Sequence, residues 1–309
     1  MSTAQAVRFR IHHRTEYVYG AEVVHSHQLL HLRPRVTPYQ ECIAHALQIE
    51  PAASVRLDDR DVFDNPVTRL EIDRPHSRLQ VATEMEMTVA ARPVPDAAST
   101  LPWEAVKSQL MYSARPPAAD ALEASRFRHE SPHVRIKQAF QTYSADCFAD
   151  GRPVLVCAEA LMHKLFKEMT YSPGETQIAT PLLEVLRHKR GVCQDYAHLM
   201  IACLRAHGLA AKYVSGYLCT ASPRQSRLVG SDASHAWVAV YCPPHGWVEL
   251  DPTNGIRARS DHIVLAWGRD FGDVSPLRGV IVGGGQHEIR VRVDVSPLDA
   301  IDASSTSAS

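Results

Sequence analysis

Residues 190–218, "RGVCQDYAHLMIACLRAHGLAAKYVSGYL", change their period half-way along. From about Val192 to His207 the apolar positions Tyr196, Leu199, Met200, Cys203 and Leu204 fall on one face of a helix, and Gly208 supplies its terminator. From Ala211 to Leu218 the text reads as a strand. The stretch therefore predicts a helix running into a strand, with Cys193 in the first helical turn. There the backbone N–H groups lack helical acceptors and the helix dipole favours a negative sulfur, and the Cys193 amide itself points as an oxyanion donor should. For a single cysteine, inert packing in a core remains the commoner outcome.

Working outward, "HVRIKQAFQTYSA", "PVLVCAEALMHKLFKEM" and "TPLLEVLRHKRG" carry apolar residues at helical spacing, the last with Thr180 as N-cap, Pro181 at its first position and a basic run before Gly191. Downstream, "SHAWVAVYC", "WVELDP" and "GGGQHEIRVRVDV" read as further strands. Before the helices, residues 7–91 alternate at period two between Pro-rich turns, the pattern of an antiparallel β-sandwich or small barrel. The expected organisation is an N-terminal β domain over residues 1–92, a Pro/Ala/Ser-rich linker over 93–105, an α+β unit over 106–298 and a solvated tail over 299–309.

Among 309 residues, 45% are apolar and 22% charged, with a net charge of -1, so no global basic field points to nucleic acid or an anionic membrane. The N-terminal "MSTAQAVRFRIHH" lacks the apolar core of a signal peptide, and a cytoplasmic location is the expectation. Seven scattered cysteines fit reduced thiols and make no zinc-type pair. No cofactor or metal is expected. His25, His27 and His31 lie on an extended segment with no acidic or thiolate co-ligand in sequence and read as solvated or structural. The glycines 283–285 lack the context of a phosphate loop.

Two later segments give Cys193 company. "SDASHAWVAVY" puts His235 at a strand start, and "GWVELDPTNG" puts Asp251 at the end of the next strand, before a proline. A histidine base needs a partner to fix its tautomer, and a carboxylate across a strand pair supplies one. A five-residue loop over 241–245 would set Asp251 opposite His235 on one face, whereas a four-residue loop would turn them apart. Asp195 and His198 are nearer in sequence, but on a helix they point about 200° and about 140° away from Cys193 and read as support for the helix start. Trp237 and Trp247 read as core. The polar loop Thr220–Asp232 fits a flap or a plain solvated loop equally well.

"GVCQDYAHLMIACLRAHGLAAKYVSGYL", "DASHAWVAVY" and "GWVELDPTNG" resemble the three signature blocks of the transglutaminase-like superfamily. "HHRTEYVYG", "HLRPR", "DVFDNPVTRLEI" and "PHSRLQV" are similar to the bacterial transglutaminase-like N-terminal region, and "AWGRDFGDVSPLRGV" to its closing block. The resemblance implies a papain-like fold behind a β-sandwich-like domain. It also implies a catalytic set in which Cys193 is nucleophile, His235 general base and acid, and Asp251 the group orienting His235. The reaction type implied is acyl transfer through a thioester: to water in a cysteine peptidase or amidase, to an amine in a protein-glutamine gamma-glutamyltransferase. Hydrolysis of a peptide or protein amide is the favoured expectation, because no sequence feature marks a tunnel shielding a thioester from water. A catalytically silent binding module of the same fold is the third reading. The family's second oxyanion donor would be sought in "EMTYSPGETQIATP", with Tyr171 and Gln177 as candidates.

Overall fold

The computed structural model describes residues 6–114, 117–219 and 234–298. The loop Thr220–Asp232 and the tail 299–309 lie outside the described residues. The chain begins with β1 (Val7–Leu30), β2 (Gln40–Glu50), β3 (Val55–Arg60), β4 (Pro66–Ile72) and β5 (His76–Val89). Period-two alternation does set the faces: Phe9, Ile11, His13 and Thr15 of β1 are buried, with exposed residues between them.

Helices follow as expected, with two more before them: α1 (Trp103–Leu110), α2 (Ala119–Ser125), α3 (Gln138–Ser144) and α4 (Val154–Glu168). Then come β6 (Thr170–Tyr171), α5 (Leu182–His188), β7 (Arg190–Gly191) and α6 (Cys193–Ala206). The remainder is β8 (Ala211–Leu218), β9 (His235–Tyr241), β10 (Trp247–Asp251), β11 (Ile256–Arg257), β12 (His262–Gly268), α7 (Phe271–Val274), β13 (Leu277–Gly283) and β14 (His287–Leu298). No helix among the described residues is long and apolar enough to cross a membrane.

Thr180 does not cap α5. Pro181 holds the N-cap position, and the Thr180 hydroxyl accepts the Gln177 N–H at 2.9 Å in the preceding turn.

The core sheet runs β11-β10-β9-β8-β12, antiparallel in every pairing, and α6 packs on it. Gly216 of β8 lies opposite His235 and has no room for a side chain: a Cβ there would sit 2.1 Å from the Ile263 carbonyl oxygen and 2.5 Å from the Trp237 ring. That close approach draws β8, β9 and β12 together directly beneath His235.

The N-terminal sheet departs from the expected organisation in one respect. The last two strands, β13 and β14, pair with β1 rather than with the core sheet, completing a seven-stranded sheet ordered β2-β5-β1-β4-β3 along its main path. The first half of β1 pairs with β5 and β14, the second with β4 and β13, and the register slips between Val18 and Val23. One long strand bent at an irregularity thus curls a single sheet into a sandwich-like shape. The alternation of "HEIRVRVDV" identified a strand, but period two carries no record of its partner, and the last two strands of the 106–298 segment return to the first sheet.

The two halves share one core, since Phe9, Ile11, Met85, Met87 and Val89 pack in the same apolar cluster as the helices and β8. The exposed side of edge strand β12 is covered by side-chain amides from the N-terminal half. Gln40 donates to the Val264 carbonyl at 2.8 Å and accepts the Val264 N–H at 2.7 Å; Asn65 does the same for Trp267 at 2.9 and 3.0 Å. These two amides stand in for a neighbouring strand and satisfy groups that would otherwise form an open edge. The linker is equally fixed: the Leu101 N–H reaches the Pro243 carbonyl at 3.0 Å and Trp103 opens α1 against Arg152.

Candidate functional site

The start of α6 is built by its own sequence. The Asp195 carboxylate folds back to accept the Val192 N–H at 2.8 Å, capping the helix, and the Thr176 hydroxyl at 2.7 Å. Gly191 is the residue that permits this, because a Cβ there would lie 2.4 Å from Asp195 Oδ2. Cys193, two residues on, is half-buried at the first helical position. Asp195 thus supports the helix start, as its angular position on the helix predicted.

His235 and Asp251 meet on the adjoining sheet. The hairpin loop is five residues, 242–246, one later than the register anticipated, so Asp251 stands diagonal to His235 by two residues on the same face instead of directly opposite. The side chains still touch: His235 Nε2 is 2.9 Å from Asp251 Oδ2, and both are wholly buried. Asp251 is also held from behind by its own turn, its Oδ1 accepting the N–H groups of Thr253 and Asn254 at 2.9 and 3.2 Å and its Oδ2 the Asn254 side-chain amide at 2.7 Å. The "DPTN" stretch is therefore at once a turn and a cradle for the carboxylate. With Nε2 committed to Asp251, Nδ1 is the remaining nitrogen of His235; it is buried and makes no hydrogen bond among the described residues, and the Cys193 sulfur favours a charged ring.

A model of the bacterial transglutaminase-like N-terminal region matches residues 9–88, and one of the transglutaminase-like superfamily matches residues 141–252, a span holding Cys193, His235 and Asp251. An uncharacterized protein of Mycobacterium tuberculosis is 38% identical over 301 residues, covering 94% of this chain and 93% of the relative. The chain belongs to the transglutaminase-like superfamily. A protein-glutamine gamma-glutamyltransferase of Pseudomonas aeruginosa is 39% identical over 67 residues, 21% of this chain and 10% of that one. In fold, this transglutaminase-like chain is similar to a protein of Cytophaga hutchinsonii described as a candidate cysteine protease, with a TM-score of 0.74 at 19% identity over 95% of this chain and 91% of the other.

Charge in this transglutaminase-like site is set by contact. Burial alone would push the His235 imidazole down, but the Asp251 carboxylate and the Cys193 sulfur outweigh it and raise its pKa to about 10. Burial would raise Asp251, yet His235 and a second histidine, His262, hold it well below the usual carboxylate range.

His262 opens β12 and was not singled out in the sequence, where "SDHIV" offers no spacing that connects it to Asp251. Its Nε2 lies 3.2 Å from Asp251 Oδ2. His235, Asp251 and His262 each bring one donor atom within 4.8 Å of the others, a metal-like spacing. The Asp251 oxygen at the centre accepts N–H groups from both histidines and from Asn254, so its lone pairs already serve proton donors instead of facing an ion cavity.

Tyr171 lies beside Gly191 in the β6–β7 pairing, two residues before Cys193 in sequence, while Gln177 is exposed in the following loop. Trp237 is wholly buried beside both histidines, and Trp247 is half-buried against Lys212. In the N-terminal sheet, His25 and His27 share an exposed face with Nε2 atoms 2.7 Å apart and Asp73 and Glu71 beside them, carboxylates the local sequence did not reveal; His31 is buried elsewhere.

Proposed function

We propose that the protein is a thiol-dependent acyl hydrolase acting on peptide or protein amides, with Cys193 as nucleophile, His235 as base and acid, and Asp251 as the group that orients and charges His235. The observation that carries this reading is the His235 ring held at Nε2 by Asp251 at 2.9 Å, with Nδ1 making no hydrogen bond among the described residues and the sulfur of Cys193, at a helix start, bearing on the charge of the ring. With the ring charged, the proton shared by the Cys193–His235 pair rests on Nδ1, and the sulfur attacks the amide carbonyl with that proton already in place. The amides of the first α6 turn stabilise the oxyanion, and His235 passes the proton to the departing amine. A thioester remains. Water, deprotonated by His235, then adds to it and expels the thiolate, which leaves the proton on His235 and restores the resting pair.

Iodoacetamide tests the reading without a known substrate. Among the seven cysteines only Cys193 and Cys42 are partly accessible, and burial pushes the Cys42 thiol up, so Cys42 is an internal control. Adduct mapping is expected to show fast, selective labelling of Cys193 that His235→Ala slows at least tenfold. Labelling of Cys193 no faster than Cys42, unaffected by His235→Ala, overturns the nucleophile and leaves a silent module. The local likeness to the Pseudomonas transferase favours a second reading, acyl transfer to an amine. Dimethylcasein with and without monodansylcadaverine separates the two: new chain termini are expected, and fluorescence incorporation exceeding cleavage would favour the transferase.

A further inference from the structure

The reaction as proposed leaves one buried ionisable group on Asp251 unused. His262 is wholly buried, and each of its ring nitrogens meets a carboxylate: Nδ1 lies 2.6 Å from Asp261 Oδ1 and Nε2 lies 3.2 Å from Asp251 Oδ2. An ionised carboxylate only accepts, so each contact requires a proton on the nitrogen; at 2.6 Å an unprotonated Nδ1 would set lone pair against lone pair. The Arg259 N–H, 3.3 Å from Nδ1, is too long to reverse that.

The surroundings keep this ring still. The Arg92 guanidinium donates to the His262 carbonyl at 2.8 Å and also to the Arg259 carbonyl, while pairing with Glu249 at 3.3 Å. Trp237 closes edge-on at 5.2 Å between ring centroids.

We propose that His262 is a positioning residue of the thiol site, an imidazolium bridging Asp251 and Asp261 that fixes the orienting carboxylate and divides its negative charge between two histidines. The inference rests on the reading of His235 as base to Cys193. Its direction follows from geometry. Asp251 Oδ2 accepts both Nε2 protons, so the charge it lends His235 is what His262 leaves it, and Asp261 sits on the far side of the His262 ring. Burial would lower the His262 pKa, and the two carboxylates outweigh it and raise it.

The groups bearing on the Cys193–His235 pair are Asp251, His262 and Asp261 on the sheet side, Asp195 in the first turn of α6, and Tyr213 of β8, whose hydroxyl is kept neutral by burial and by the nearby Cys193 and Asp195. Removing the His262 charge makes this environment one unit more negative at a ring separation of 6.2 Å. The first proton lost by the Cys193–His235 pair then leaves less readily.

The test is the pH profile of Cys193 alkylation by iodoacetamide in the full chain, for wild type, His262→Gln and His262→Gln/Asp261→Asn. The acid limb is expected to move up by about one pH unit or more in the single variant, roughly tenfold slower labelling below the limb, and by less in the double variant. Profiles superimposing on wild type overturn the proposal. The single variant removes the cation beside buried Asp261 and can fail to fold; the double removes both charges together and is read in its place. Should neither fold, the ¹⁵N spectrum of wild-type histidines at pH 7 decides: both His262 nitrogens protonated supports the bridge, and a bare ring nitrogen overturns it. Loss of His235 dependence in wild-type labelling indicts the thiol reading instead, so the two failures are distinct.

Discussion

Two histidines, His198 on α6 and His235 on β9, are both buried and end in opposite charge states. Burial pushes His198 down to about 3, and the attraction of Asp270 does not compensate. The Asp270 oxygens are spent on the N–H groups of His133 and Gly272 at 2.8 Å each, and His198 Nε2 accepts the Phe271 N–H at 3.1 Å, which requires a bare nitrogen. His235 has its carboxylate in direct contact at 2.9 Å and is held to about 10. A carboxylate in the neighbourhood does not charge a buried imidazole; one whose oxygen faces the ring nitrogen does.

Breaking the contact is expected to have the largest effect. Asp251→Asn should leave His235 near the His198 condition and lower hydrolysis by on the order of 10³–10⁴-fold, with a matching collapse of Cys193 labelling at neutral pH. It should also cost about 3–5 kcal/mol in chemical denaturation, since one member of a buried pair is left alone. Moving the strands is the next largest. Gly216→Ala, with its Cβ 2.1 Å from the Ile263 carbonyl, forces apart the strands carrying His235 and His262 and should cost about 1–3 kcal/mol together with slower labelling.

The pH dependence of stability sharpens the contrast, because the two histidines act with opposite sign. His198, with His13 and His207 pushed by burial to about 4, is neutral when folded and protonates more readily when unfolded. Stability should therefore fall as pH drops below 6.5 toward 3–4, by at most about 1.4 kcal/mol per pH unit for each histidine. The His235 contribution is fully present below pH 6.5 and is lost as pH rises toward 10. Melting scans should show both arms in wild type and only the acid arm in Asp251→Asn. Smallest of all, His198→Gln keeps an acceptor for Phe271 and should leave Cys193 labelling within about twofold while costing roughly 1 kcal/mol.

What could be read in the sequence follows the same division between local and distant. The α6 start, its support by Asp195 and the β8 strand were legible because each depends on neighbours within a few residues, whereas the order Cys193, His235, Asp251 was read from three separated blocks that resemble the family's signatures. The hairpin register came out two residues displaced, yet period two still kept His235 and Asp251 on one face. His262, the return of β13 and β14 to the first sheet, and the covering of β12 by Gln40 and Asn65 were not legible. Each joins segments 11 to 290 residues apart, through contacts that leave no periodic mark on either segment.

The central claim, that contact with Asp251 makes His235 a cation, is tested most directly by ¹⁵N-histidine NMR, with His235 and His198 assigned through single substitutions. At pH 7 both ring nitrogens of His235 should be protonated and His198 should show one bare nitrogen, with His235 reverting to a neutral ring in Asp251→Asn. A neutral His235 in the wild-type protein at pH 7 would contradict the account.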